Sequence, residues 1–252
     1  MEIRITNFLF SFSVYLEERS SQKKDNNSGL VPSEIKVLSA IAIFYGASCG
    51  SERLFQTLEF TFGLCGPLHL SSRQAVITDK CYNGGFFAGR LASIIAVKLM
   101  KPKSMLKSSL ALCALSTVAL SLKADQSANL LYICATLFGF AISWQFGSGV
   151  SWSAEYMDVV GWRASTFSAG CSLSFLASLI GAYLFTHWAP MLVWHFNLVL
   201  VSVQILAFFK LQSIFGRLDN NVKSESAQYK ELNKQEFMEE INLSTASSDE
   251  EF

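Results

Sequence analysis

Charged and amide side chains stand inside long apolar runs of this sequence. Ser51-Glu52-Arg53-Leu54-Phe55-Gln56 is followed by Glu59, and helical periodicity puts Glu52, Gln56 and Glu59 on one face with Arg53 at its border. A second run carries Asp79, Asn83, Phe86 and Arg90, spaced by four, three and four, which makes a single helical stripe. A third places Ser143-Trp144-Gln145 among Gly139, Gly147 and Gly149. These groups suit recognition of a polar solute. An aromatic ring can stack on the apolar face of a sugar while an amide bonds its hydroxyls, and carboxylates and amides can line a path for solute or ion.

Catalytic patterns are missing. There is no nucleophile–base pair, glycine-rich phosphate loop or HExxH pattern, and His69, His187 and His195 are isolated from one another. Cys49, Cys65, Cys81, Cys113, Cys134 and Cys171 are scattered singly, with no CxxC pair. They read as small apolar residues of buried helices, with Cys65 and Cys81 flanking one expected loop. The expectation is a protein that is not an enzyme and holds no metal or cofactor.

A charge within a membrane-spanning helix costs about 2.5–3.5 kcal/mol on insertion scales, so it should face a partner or an aqueous cavity. Two readings fit Glu52, Arg53, Gln56 and Glu59: the wall of a solute path, or a self-neutralising cluster in which Arg53 pairs with a carboxylate. Arg90 lies near the middle of its run and calls for a carboxylate or backbone carbonyls from another helix, in a structural or gating role. Trp144 and Gln145 are either cavity-lining or packing groups. Gly170, Ser174 and Ser178 form a small-residue face suited to close helix packing, and His195 and Asn197 are weaker candidates.

The elements that must position these residues follow from composition. The chain has 252 residues, of which 51% are hydrophobic and 16% charged; soluble domains carry roughly 25% charged residues. Its 20 basic and 20 acidic residues cancel, leaving no basic footprint for nucleic acid. Residues 1–34 form a polar segment with a short apolar stub at its start. Residues 35–215 are apolar, with polar breaks near Gly66–Arg73, Lys98–Ser104, Lys123–Ser127, Glu155–Arg163 and His187–Pro190, and residues 216–252 make an acidic tail.

The five breaks leave six segments, each suited to a helix of about 20 residues crossing a bilayer. The expectation is an all-α membrane protein of six transmembrane helices. Ser71 and Gln74 can form a capping box at the second helix, and Lys101-Pro102 should close it. Basic residues concentrate at one set of helix ends, which places both termini in the cytosol. The sequons at Asn26 and Asn242 would then be unglycosylated.

The residues Tyr45-Gly46, Ser51-Glu52-Arg53-Leu54-Phe55-Gln56, Gly63-Leu64-Cys65-Gly66-Pro67-Leu68 and the run Thr78-Asp79-Lys80-Cys81-Tyr82-Asn83-Gly84-Gly85-Phe86-Phe87-Ala88-Gly89-Arg90-Leu91 carry a family resemblance. The chain resembles the carboxy-terminal half of a major facilitator superfamily transporter. Within that superfamily it is similar to the sodium-dependent glucose transporter 1-like group, also called major facilitator superfamily domain-containing protein 4.

The resemblance implies half of a twelve-helix fold built from two six-helix halves, with a solute site between them. It implies a sugar or similar solute, Na+ or H+ as coupling ion, the plasma membrane as location, and Glu52, Arg53, Gln56, Glu59, Asp79, Asn83, Trp144 and Gln145 as cavity lining. A single half would work with a second copy or with a missing amino-terminal half. The alternative is a non-transporting six-helix scaffold. The loop Lys98–Lys107 sits where the superfamily keeps a cytosolic gating signature, but lacks that signature's acidic residue and second glycine.

Overall fold

The computed structural model describes residues 32–157, 159 and 161–217, the side chains of 32–34 and 162 aside. Among these residues the elements are helices: α1 Pro32–Cys65, α2 Ser72–Leu99, α3 Pro102–Lys123, α4 Ala128–Ala154, α5 Trp162–Ser172, α6 Ser174–His187 and α7 Leu192–Arg217. The expected amino-terminal stub and most of the linker and acidic tail, with both sequons, lie outside them. One compact unit closes at Leu211, and of the next the structure describes only 212–217, the end of α7.

Local chemistry sets the helix ends. α1 stops where Gly66-Pro67 follows, because proline has no N–H to continue the ladder. Gly66 N–H still bonds Phe62 O at 2.8 Å and Leu70 N–H bonds Gly63 O at 2.9 Å, folding the turn back on the helix. Ser71 is extended and caps α2. Its hydroxyl accepts from Gln74 N–H at 3.4 Å, and the side-chain Oε1 of Gln74 accepts from Ser71 N–H at 3.1 Å. Three residues past Leu99, Pro102 opens α3 at a position where its missing N–H costs nothing.

α2 and α3 each pack against α4, while α5 and α6 pack against α1, and α1 meets α2 along one side. The fifth apolar segment is broken at Leu173, whose N–H bonds back to Gly170 O at 3.1 Å in a tightened turn. At that break a Cβ on Gly46 would lie 3.3 Å from Gly170 O, so small residues bring α1 and α5 into near backbone contact.

An aromatic column ties α1, α2, α4 and α7 together. The Phe55 ring stacks on Tyr82 at 5.2 Å and on Phe138 at 4.5 Å, and Trp194 tilts against Phe55 at 5.1 Å. All four rings are fully buried.

Four helical stretches are long and apolar enough to cross a membrane: Pro102–Lys123, Ala128–Ala154, Arg163–His187 and Leu192–Arg217. α1 and α2 have 34 and 28 residues but carry the charged groups. Apolar side chains point outward all the same. Phe87 is 65% exposed, Ile94 64% and Leu99 78%, a surface that water would penalise and lipid tails would accept.

Candidate functional site: the polar face of α1 and α2

The aromatic column positions the site. Tyr82 is held by Phe55 and Phe138, and its hydroxyl reaches the α1–α2 seam. There Gln56 Nε2 donates to Tyr82 Oη at 3.2 Å and to Glu52 Oε1 at 3.3 Å. Gln56 and Glu52 are one helical turn apart, so the amide spans a turn of α1 and a neighbouring helix at once. Gln56 is exposed and Glu52 half-buried, so the group is anchored at its base and open at its rim.

The guanidinium of Arg90 is the foremost charge acting on the Glu52 carboxylate, followed by that of Arg53. Arg90 also lies 4.8 Å over the Phe86 ring, and Arg53 lies 4.6 Å over the Phe175 ring of α6. The stripe expected on α2 is present. Asn83 Nδ2 donates to Asp79 Oδ1 at 3.0 Å and to the Asp79 carbonyl at 2.8 Å, and Arg90 stands one turn beyond Phe86.

Nearer the α1–α2 turn, Glu59 is fully buried and, among the described residues, neither carboxylate oxygen has a hydrogen-bond donor. The charge that bears on it is that of Asp79 on α2. Six of the sequence candidates, Glu52, Gln56, Glu59, Asp79, Asn83 and Arg90, therefore gather on the facing sides of two helices, with Arg53 at the edge toward α6.

Trp144 and Gln145 lie elsewhere. Trp144 Nε1 donates to Gly89 O at 2.6 Å, fastening α4 to α2 through a backbone carbonyl. Gln145 is fully buried. Its Oε1 accepts from Ser48 Oγ at 2.7 Å and from Gln204 Nε2, and its own amide lies 3.3 Å from Cys113 Sγ. One amide thus joins α1, α3, α4 and α7. Beside it Ser51 Oγ donates to Asn197 Oδ1 at 2.5 Å. Ser48, Asn197 and Gln204 belong to this buried network. The signal available in the sequence was a single polar residue on otherwise apolar helices, with nothing to tell which helix would answer it.

Cys65 and Cys81 are free thiols. The cysteines that meet are Cys49 and Cys171, with Sγ atoms 2.8 Å apart across the α1–α5 contact. Among the described residues no group of three or more His, Cys, Asp or Glu is arranged to hold a metal ion. A groove of about 210 Å³ between α1 and α7, lined by Ser39, Ala40, Ile43, Val203, Leu206, Ala207 and Lys210, contains none of the site residues.

Sodium-dependent glucose transporter 1 of Danio rerio is 31% identical over 134 residues, which cover 52% of this chain and 22% of the relative. Proteins of the same name from Xenopus laevis and Homo sapiens are each 25% identical, over 67% and 66% of this chain and 35% and 32% of their own length. The chain is related to membrane transporters. No family model matches it. The matched region spans about a third or less of these relatives' own length. Together with the apolar helices, the relatives make the chain an integral, multi-pass membrane protein.

Proposed function

We propose that the chain moves a small polar solute, most simply a hexose, across a membrane, with the α1–α2 face as one wall of the path. α1 and α2 then cross the bilayer with the four more apolar segments, giving six spans, and their charges are tolerated because they face the path instead of lipid. The observation that carries the reading is the bridge from Gln56 to Glu52 and Tyr82, an open amide backed by a buried aromatic column. An amide and carboxylate at the rim can exchange hydrogen bonds with sugar hydroxyls, and the Arg90 charge offsets that of Glu52.

The names of the relatives support a hexose and a cation gradient as the driving force. Alternating access needs a second wall, which a second copy or further helices would supply. The plasma membrane, with both ends of the described region in the cytosol, is the setting this reading implies, and no catalytic chemistry is required.

The test is uptake of labelled hexose by proteoliposomes containing the purified chain, beside equilibrium hexose binding in detergent. Specific binding that weakens about tenfold in Gln56→Ala, as expected from losing about 1.4 kcal/mol, supports the reading. A helical, folded chain that neither binds nor moves any hexose overturns it.

A further inference from the structure

The groove between α1 and α7 is built from two matching stripes. On α1, Lys36, Ala40 and Ile43 are spaced by four and three; on α7, Val203, Leu206 or Ala207, and Lys210 repeat the same interval. Each set therefore shares one helical face. Ala40 and Ala207 are buried and make a floor of small side chains, while Ile43, Val203 and Leu206 stand exposed as walls. The space of about 210 Å³ suits part of one extended alkyl chain.

The two helices run in opposite directions. Ser51 of α1 bonds Asn197, Ser48 and Gln204 meet on the Gln145 amide, and Ser39 lines the groove with Lys210. Numbers thus rise along α1 as they fall along α7, and the lysines that close the two stripes stand at the same end. Lys36 lies one turn before Ala40, and Lys210 one turn past Leu206 and Ala207. Both are exposed. α1 carries no charge between Lys36 and Glu52, and α7 has no Asp or Glu from Leu192 to Arg217, so neither helix supplies an acid to this end.

We propose that the groove seats an acyl chain of an anionic phospholipid, whose phosphate is held by Lys36 and Lys210. One molecule of that class matches both parts: a hydrocarbon chain covers Ile43, Val203 and Leu206, and a net negative headgroup meets two ammonium groups. A zwitterionic lipid brings a cation of its own against them. A second copy docked here about an axis along the membrane normal sets the same lysines against one another. The site needs the membrane setting alone and is independent of solute transport.

The test uses the full chain in phosphatidylcholine nanodiscs carrying a trace of photoreactive lipid. The diazirine sits in the acyl chain, and the headgroup is either phosphatidylglycerol or phosphatidylcholine. Peptide mapping should show residues 36–43 and 203–210 labelled preferentially by phosphatidylglycerol, by about fivefold for each lysine. Leu176 and Leu179, exposed on α6, should be labelled without preference. Lys36→Gln combined with Lys210→Gln should bring the two lipids level in the groove while keeping the wild-type helical spectrum. Equal labelling of the wild-type groove by both lipids overturns the proposal, and so does a preference that survives the double substitution. A groove labelled by neither lipid also overturns it, and gives the surface to another segment of the chain or to a second copy. If hexose binding and uptake fail while the headgroup preference holds, the transport reading falls and the lipid site stands.

Discussion

Gly85 of α2 lies so close to Thr136 of α4 that an added Cβ would overlap the Thr136 carbonyl oxygen and sit 2.9 Å from its carbon. Gly84, its neighbour, faces open space. The pair separates packing from propensity on a single helix. Gly85→Ala should destabilise the bundle by about 1–3 kcal/mol through overpacking. Gly84→Ala should be neutral or slightly stabilising, since alanine is the better helix former by about 1 kcal/mol. Thermal unfolding of both variants in the same detergent checks this.

Gln145 should behave as a stability residue. Gln145→Ala leaves Ser48 and Gln204 without their shared acceptor in the bundle interior, at a cost of about 1–3 kcal/mol. A lowered melting temperature with unchanged hexose affinity per folded molecule is the expected outcome.

Tyr82 can be tested without disturbing its ring. Tyr82→Phe keeps the stack on Phe55 and removes only the hydroxyl that accepts from Gln56. Hexose affinity should fall several-fold, in line with about 0.5–1.5 kcal/mol for one hydrogen bond. The melting temperature should stay within a few degrees of wild type.

The thiols of Cys49 and Cys171 are close enough to be joined. Mild oxidation should cross-link α1 to α5, which intact-mass and peptide mapping would detect as one internal disulfide. Cys171→Ser should abolish it. Cys65 and Cys81 should remain reactive toward alkylating reagents throughout.

The parts of the fold written in local spacing were legible. The capping box at Ser71 and Gln74 and the stripe from Asp79 through Asn83 to Phe86 and Arg90 depend on residues within a few positions of each other, and each is present. The break at Leu173 was hidden, because it arises where α1 and α5 meet at Gly46 and Gly170. Gln145 and Trp144 illustrate the same limit. Both read as polar groups in an apolar run, but their partners are 32 to 97 residues away in the chain, at Gly89, Cys113, Ser48 and Gln204. Glu59 could be picked out as an acid within an apolar run, lining a path or neutralised in a cluster; that it is sealed without a hydrogen-bond donor among the described residues required the packing of the helices.

Gln56 offers the most direct test that the α1–α2 face borders a water-filled solute path. In a chain whose six native cysteines are replaced, Gln56→Cys can be challenged with a membrane-impermeant thiol reagent, with and without hexose. Rapid modification that hexose slows several-fold is the predicted result. A thiol that reacts only with lipid-soluble reagents, or at a rate hexose does not change, would contradict it.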